Sequence, residues 1–147
     1  MIDTADIVLI EDNRHDVEMV LDAMSGQNMT GKVCVLRDGA EAIDYFFGPE
    51  GCFQAATVHL PKLILLDLKL PKVSGLEFLE HIRSDERTRH IPTVVFTSSN
   101  ETEDRIKSYV LGANSYIVKP LDADIFSQFV TDIISYWVSM NRAVYEN

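Results

Sequence analysis

Cysteine is scarce in this chain of 147 residues, which contains only Cys34 and Cys52. Two cysteines are too few for a disulfide framework, and their spacing does not match a zinc site. Both are therefore expected to be free thiols in a reducing compartment.

Basic residues are also few. The chain has 13 Lys plus Arg against 23 Asp plus Glu, so its formal net charge is −10. Proteins that bind nucleic acids hold the phosphates with basic patches, and this composition therefore disfavours direct binding of DNA or RNA. Other proteins are the expected partners.

Long apolar runs are absent as well. No run approaches the roughly 20 residues that a transmembrane helix needs. Asp3 and Asp6 stand where a signal peptide would have a basic and then an apolar stretch. The expected location is the cytoplasm, and the length leaves room for one ordinary domain.

What the chain does contain is a strict alternation of short apolar runs with helical patterns. The predicted strands cover residues 7–10, 33–36, 63–66, 93–96 and 115–118. The predicted helices cover about 15–24, 40–47, a segment after Ser74, a segment from an Asn100–Glu103 cap to Gly112, and a segment from Ala123 onward. Residues 48–60 are predicted to form a long loop. The alternation predicts a parallel sheet covered by helices on both faces, the doubly wound α/β class.

Polar residues follow four of the predicted strands. They are Glu11 and Asp12 after the first strand, Asp67 after the third, Thr97 and Ser98 after the fourth, and Lys119 after the fifth. The carboxyl ends of parallel strands meet at one edge of the sheet, so these residues are expected to form one site. Three carboxylates there predict a cation or phosphoryl site.

Each of these residues also has an ordinary structural interpretation. Asp67 could cap the next helix, although Ser74 and Glu77 form a candidate capping box further along the chain. Glu11 and Asp12 could be solvated acids before a helix, where they suit the helix dipole. The joint placement of all the polar residues favours a functional site over these separate explanations.

The chemistry of the candidate site can be argued from the residue types. A carboxylate such as Asp67 can carry a phosphoryl group if the surrounding negative charge is neutralised. Magnesium suits this role because it prefers oxygen ligands, here Asp12 and Asp67, and Mn or Ca could substitute for it. Lys119 offers a positive charge and Thr97 a hydroxyl to the remaining phosphoryl oxygens.

Taken together, Glu11-Asp12, Asp67, Thr97 and Lys119-Pro120 resemble the receiver domain of two-component response regulators. The resemblance extends over about residues 6–137, and the segments 38–42, 67–75 and 112–116 also match it. It implies a flavodoxin-like sheet in the order 2-1-3-4-5 with five helices. The expected organisation is a single receiver domain over 1–147 without an output domain, in which 138–147 form a helical extension or tail.

The resemblance also assigns roles to individual residues. It implies that Asp67 accepts a phosphoryl group from a histidine kinase, that Asp12 binds the metal directly, and that Glu11 acts largely through water. The backbone carbonyl of Lys69 is expected to complete the metal site. Lys69 and the Glu at position 11 depart from the commonest pattern, so metal affinity and phosphoryl lifetime stay open.

Further implied features concern the switch. Ser98 is expected beside Thr97 at the phosphoryl site, and Tyr116 resembles the aromatic residue that turns inward when Thr97 is drawn toward the phosphoryl group. A fixed aromatic residue is the alternative for Tyr116. The peptide bond between Lys119 and Pro120 is expected to be cis, a form that is about 0.5–1 kcal/mol less stable than trans before proline.

The last predicted helix carries an apolar stripe that continues beyond the usual end of a receiver. Its members are Phe126, Phe129, Ile133, Trp137, Met140 and Val144. This additional length of apolar stripe predicts a homodimer or partner contact. The contact would be formed either by this helix and the extension or by the face of helix 4, strand 5 and helix 5. The alternative is a helix packed on its own sheet with a frayed tail. The stripe, the long loop and the Tyr136-Trp137 ending resemble stand-alone receivers paired with phytochrome-type histidine kinases.

The leading hypothesis is therefore a signalling phosphoacceptor that catalyses only its own phosphorylation and dephosphorylation. The competing enzyme hypothesis is a magnesium-dependent phosphohydrolase that works through an aspartyl phosphate. Many such enzymes have a second Asp two residues after the nucleophile, where this chain has Lys69. A flavin or nucleotide binder is disfavoured because no Gly-rich loop follows the first strand. The sequence leaves the cognate kinase, the downstream target and the effect of phosphorylation on a dimer open.

Overall fold

A computed structural model of the chain describes residues 5–26, 32–51 and 59–144. Within these ranges, five strands alternate with five α-helices. The strands are β1 (Ile7–Ile10), β2 (Val33–Leu36), β3 (Leu63–Leu66), β4 (Thr93–Thr97) and β5 (Ser115–Val118). The helices are α1 (Arg14–Gly26), α2 (Gly39–Phe47), α3 (Gly75–Ser84), α4 (Thr102–Val110) and α5 (Ala123–Ile134), and a π-helical segment, Ser135–Met140, continues α5. Cys52 and most of the predicted 48–60 loop lie outside the described residues.

The five strands form one parallel sheet in the order β2-β1-β3-β4-β5. This order confirms the predicted flavodoxin-like, doubly wound α/β class. Ile10 pairs with Leu36 on one side and Leu66 on the other, so the carboxyl ends of β1, β2 and β3 are level at one edge. That edge is the place where such folds collect functional residues.

The core lies on both faces of the sheet because β1 and β3 are buried along their whole length. On one face, α1 and α5 cover the sheet, and their buried residues include Val20 and Phe126. On the other face, α2 and α3 contribute Phe46 and Phe78. Strands buried on both sides explain why the sequence shows continuous apolar runs and not an alternating pattern.

Three helix ends show how well local signals predict boundaries. The Ser74 hydroxyl accepts a hydrogen bond from the Glu77 amide at 3.2 Å, which confirms Ser74 as the cap of α3. The predicted cap of α4 at Asn100 is wrong, because Glu101 occupies the cap position and its amide bonds the Ser99 hydroxyl. After α4, Gly112 adopts a φ of 103°, a left-handed conformation that glycine tolerates best.

The last helix differs from the prediction beyond Ile134. The Asn141 amide bonds the Tyr136 carbonyl at 2.7 Å, five residues earlier, which is the hydrogen bond of a π-helix. The helix ends at Met140, so Val144 lies beyond it and not on its stripe. Among the described residues, no helix is both long and apolar enough to cross a membrane.

Candidate functional site

Three predicted acidic residues meet at the carboxyl edge of the sheet. Glu11 and Asp12 follow β1, and Asp67 follows β3, which is hydrogen-bonded directly to β1. One carboxylate oxygen from each lies within 4.8 Å of the others, so the three could hold a metal ion together. Glu11 and Asp67 are buried, whereas Asp12 is exposed to solvent. The predicted meeting of these acids is therefore confirmed.

Lys119 reaches the same acids from the end of β5. Its ammonium nitrogen lies 2.5 Å from Glu11 Oε1 and 3.2 Å from Asp67 Oδ2, and its side chain is 8% exposed. The Lys119 amide also donates to the Thr97 carbonyl at 2.7 Å, which holds the end of β5 beside β4. The lysine is thus fixed inside the site.

The predicted cis peptide bond between Lys119 and Pro120 is wrong. The described residues include both positions and contain no cis peptide bond. A trans bond is the more stable form before proline. The long side chain of Lys119 reaches Glu11 and Asp67 from this trans backbone.

Asp16 belongs to the site, although sequence reasoning did not include it. It lies in the first turn of α1, and its Oδ2 atom accepts a hydrogen bond from Lys119 Nζ at 2.8 Å. The spacing of four residues between Asp12 and Asp16 gave no reliable signal, because Asp12 precedes α1, which begins at Arg14, and the rule that such residues share a helix face applies only within a helix.

Burial and a neighbouring acid shift the pKa of Glu11. Burial, together with the charge of Asp67, raises the pKa of Glu11 from its ordinary 4.5 to about 7, although Lys119 opposes the shift. For Lys119, burial lowers the pKa, but hydrogen bonds to Asp16 and Glu11 and the charge of Asp67 outweigh it and leave the pKa above its ordinary value. The lysine is therefore charged at neutral pH.

One carboxylate oxygen of Asp67 is fixed by the backbone. Asp67 Oδ1 accepts a hydrogen bond from the Leu68 amide at 2.7 Å, while Oδ2 faces Lys119. The Glu11 carboxylate is held in the same way, since its Oε2 accepts from the Asn13 amide at 3.1 Å. These acids are preorganised, and a set of oxygen donors with excess negative charge fits a hard divalent cation.

The hydroxyl residues lie at the end of β4. Thr97 is buried and its Oγ1 accepts a hydrogen bond from the Ser99 amide at 3.3 Å, whereas Ser98 is exposed. The Tyr116 hydroxyl donates to the Ser99 carbonyl at 2.9 Å. Ser99 is not among the site residues predicted from the sequence, and in the structure it contacts both Thr97 and Tyr116.

The predicted interface stripe is only partly on the surface. Phe126 and Ile133 are buried in the core of the chain, so the prediction that they contact a partner is wrong. They face inward because α5 packs against α1 and the sheet. Trp137 is half-buried against the same core, and the exposed members are Phe129, Met140 and Val144.

Comparison with known proteins identifies relatives over most of the chain. The family model described as the response regulator receiver domain matches residues 7–131. The probable methanogenesis regulatory protein FilR2 of Methanothrix harundinacea is 39% identical over 93% of this chain and 86% of its own length. The response regulator Rcp1 of Synechocystis is 34% identical over 90% of this chain and 88% of its own length.

Solved structures agree with the sequence comparison. The phosphorylated cyanobacterial phytochrome response regulator RcpA superposes with a TM-score of 0.85 at 36% identity, over 97% of this chain and all of that one. The Mn²⁺-bound form of Rcp1 gives a TM-score of 0.82 at 30% identity, with the same coverage. The bacteriophytochrome response regulator RtBRR gives 0.72 at 45% identity, over 96% of this chain and 81% of that one.

Proposed function

The chain belongs to the response regulator receiver family, and we propose that it accepts a phosphoryl group from a sensor histidine kinase on Asp67. The observation that carries the proposal is the placement of the Asp67 carboxylate. One oxygen is fixed by the Leu68 amide, the other faces the buried ammonium group of Lys119, and Glu11 and Asp12 lie beside it. A nucleophilic carboxylate and groups that neutralise charge are the two requirements of the reaction.

The proposed metal is magnesium, with Mn or Ca as substitutes. Asp12 and Asp67 would bind it, Glu11 would act through water, and the carbonyl of Lys69 would complete the protein ligands. When bound, the cation supplies neutralising charge to the transferred phosphoryl group. The donor set described above supports this proposal, as does the existence of a Mn²⁺-bound structure of the relative Rcp1.

In the proposed transfer, a carboxylate oxygen of Asp67 attacks phosphorus. An oxygen–phosphorus bond forms as the phosphorus–nitrogen bond of the donor phosphohistidine breaks, and the leaving imidazole keeps the bonding electron pair. Lys119 already contacts Asp67 and would bind a phosphoryl oxygen, and the Thr97 hydroxyl would donate to another. Hydrolysis of the acyl phosphate by water would return Asp67 to its starting state.

Thr97 and Tyr116 are the proposed readout, with Ser98 at the entrance of the site. Phosphorylation places a new charge near Thr97, and receiver signalling requires two packings whose balance such a charge changes. The hydrogen bonds that connect Thr97 and Tyr116 through Ser99 support this part of the proposal.

The kinase is proposed to be of the phytochrome type, and the location to be the cytoplasm. The relatives named as phytochrome or bacteriophytochrome response regulators support the first point. A homodimer is part of the same proposal, through the last helix and extension or through the face of α4, β5 and α5. The face of α4, β5 and α5 is supported as a dimer contact by its large exposed apolar side chains. They are Ile106, Tyr109, Val110, Val118, Leu121, Ile125 and Phe129.

In the proposed role the protein is a phosphoacceptor and does not turn over external substrates. The competing phosphohydrolase would require an acid to protonate the leaving group. The position two residues after Asp67 carries Lys69, an exposed basic residue. Steady release of phosphate from small phosphoesters such as p-nitrophenyl phosphate would instead support the hydrolase.

The decisive experiment replaces the proposed acceptor. Asp67→Asn is expected to abolish magnesium-dependent labelling by acetyl phosphate, because an amide cannot form the acyl phosphate. Asp22→Asn removes the same charge from an exposed position on α1 and is expected to label like the unmodified protein. Undiminished labelling of Asp67→Asn would overturn the proposed function.

A further inference from the structure

All the hydrogens of the Lys119 ammonium group are already used by acids. Asp16 Oδ2 accepts one hydrogen bond at 2.8 Å, which is shorter than the 3.2 Å between the ammonium nitrogen and Asp67 Oδ2. Glu11 Oε1 is the third acceptor. Because an ammonium group has three hydrogens, a phosphoryl oxygen can bind Lys119 only if it displaces or shares one of these bonds.

A closed ring of hydrogen bonds fixes the position of Asp16. The Asn13 amide donates to Glu11 Oε2 at 3.1 Å, and the Asn13 side chain accepts from the Asp16 amide at 3.0 Å. Lys119 closes the ring, because its ammonium group donates to both Asp16 and Glu11. Asn13 directly precedes α1, so its side chain also satisfies an amide of the first helix turn. The Asp16 carboxylate is thus fixed relative to Glu11 by the fold itself.

Asp16 differs from the other two acids in what else it can bind. Glu11 and Asp67 belong to the group of acids that could hold a metal ion, and Asp16 is not a member of that group. Its side chain is 20% exposed and that of Lys119 is 8% exposed, so water screens this ion pair only weakly. When a metal ion and a phosphoryl group occupy the site, Glu11 and Asp67 have new partners, whereas Asp16 still has Lys119.

We propose that Asp16 is a positioning residue that competes with the phosphoryl group for the ammonium group of Lys119 and thereby lowers the affinity of the site for that group. This inference rests on the proposed function. In the proposed phosphorylated state, Lys119 binds a phosphoryl oxygen, and each gain in this contact weakens the bond to Asp16. The charge of Asp16 also repels the negative phosphoryl oxygens nearby. The acid therefore keeps phosphorylation of Asp67 readily reversible.

Binding of a phosphoryl mimic tests this competition. Beryllofluoride is titrated by calorimetry at magnesium concentrations that saturate each variant, because loss of the Asp16 charge is also expected to weaken metal binding. Asp16→Asn removes the charge, and Asp16→Ala removes the whole carboxyl group. Both variants are expected to bind beryllofluoride about fivefold more tightly than the unmodified protein. Either variant is sufficient for the test if the other does not fold.

The NMR signal of the Lys119 ammonium group provides a second readout, which requires no metal ion. The signal is identified by its loss in Lys119→Arg. In EDTA, both Asp16 variants are expected to shift this signal and to accelerate exchange of the ammonium hydrogens with water, because one hydrogen-bond acceptor is weakened or lost. An effect of Asp16 on helix stability alone would not change this signal.

Two companion variants define the result. Asp16→Glu keeps a carboxylate and is expected to return both the beryllofluoride affinity and the Lys119 signal toward those of the unmodified protein. Asp22→Asn removes the same charge from an exposed position on the same helix and is expected to leave both unchanged.

The outcomes distinguish this inference from the proposed function. Beryllofluoride binding by both Asp16 variants that is equal to or weaker than that of the unmodified protein would overturn the inference, as would an unchanged Lys119 signal. Equal tightening in Asp22→Asn would also overturn it, because the effect would then be one of overall charge. Failure of acetyl phosphate to label Asp67 in the unmodified protein would instead overturn the proposed function, and this inference with it.

Discussion

Lys119 Nζ lies 2.8 Å from Asp16 Oδ2, although the two residues are 103 positions apart in the chain. The same nitrogen contacts Glu11 and Asp67, so one ammonium group is shared by three carboxylates from three segments. Asp16 therefore competes with Glu11 and Asp67 for the same ammonium group.

Removal of the Asp16 charge is expected to weaken metal binding. Asp16→Asn removes one negative charge from the site. Lys119 then interacts only with Glu11 and Asp67, where its ammonium group competes with a metal cation for the two carboxylates. A nearby carboxylate contributes on the order of 1 kcal/mol in a partly solvated site, so affinity should fall about fivefold. Titration calorimetry with Mn²⁺ measures the change. Asp22→Asn is the charge-matched control, and an Asp16→Asn protein that binds Mn²⁺ as tightly as this control would contradict the prediction.

The metal-free protein is expected to lose stability as the pH rises from about 5 to 8. Because the pKa of Glu11 is raised from 4.5 to about 7, the folded chain binds more protons than the unfolded chain between these values. The free energy of unfolding therefore falls as the pH rises through this window. Asp38 acts in the opposite sense and at lower pH, because its cap bond to the Glu41 amide lowers its pKa from 3.8. Urea unfolding in EDTA at several pH values measures the effect.

Two comparisons identify Glu11 as the source of this dependence. Glu11→Gln cannot titrate and should have a flatter profile between pH 5 and 8. Saturating magnesium should also reduce the dependence, because a bound cation favours the ionised carboxylate. A wild-type profile that rises from pH 5 to pH 8 in EDTA would show that the sign is wrong.

A methyl group at position 39 is expected to destabilise the fold. A Cβ atom on Gly39 would lie 1.9 Å from the Val73 carbonyl oxygen, so the first turn of α2 and the loop after Asp67 would have to separate. Overpacking of this kind typically costs about 1–3 kcal/mol. Gly26→Ala is the matched control, since a Cβ there has no neighbour within 4 Å. Chemical unfolding of both variants checks the difference, and equal stabilities would refute the predicted clash.

The two proposed dimer faces can be distinguished by substituting one exposed apolar residue on each face with a charged residue. Val110 is 78% exposed on α4, and Met140 is 65% exposed at the end of the π-helical segment. Because α4, β5 and α5 carry more exposed apolar side chains, we expect Val110→Asp to reduce self-association and Met140→Asp to leave it unchanged. Light scattering compares each mass with the 16.6 kDa of one chain, with and without beryllofluoride and magnesium. A monomeric unmodified protein under both conditions would exclude the homodimer in the measured concentration range.

The sequence predicted those features that depend on a single strand or on the order of strands. β3 is a run of four buried apolar residues followed by an acid, so the position of Asp67 followed from the run itself. Parallel strands place their carboxyl ends together, which explains why Glu11, Asp67 and Lys119 could be grouped from the sequence alone.

Features that depend on packing between elements were not predictable in this way. Asp16 lies on α1 and Lys119 follows β5, so their contact depends on where α1 packs relative to the end of β5, and the contacts of Ser99 depend on the path of the loop before α4. The peptide bond before Pro120 illustrates a different limit. The two isomers differ by about 1 kcal/mol or less in a free chain, so tertiary context decides between them.

The π-helical segment after α5 also affects the orientation of any domain that is fused to the end of this helix. A π-turn contains one residue more than an α-turn, and one residue corresponds to about 100° of rotation about the axis of an α-helix. A reporter domain fused after Met140 would therefore emerge about 100° away from the direction expected for an uninterrupted helix. Chimeras built on this chain should accordingly be designed by rotational phase as well as by linker length.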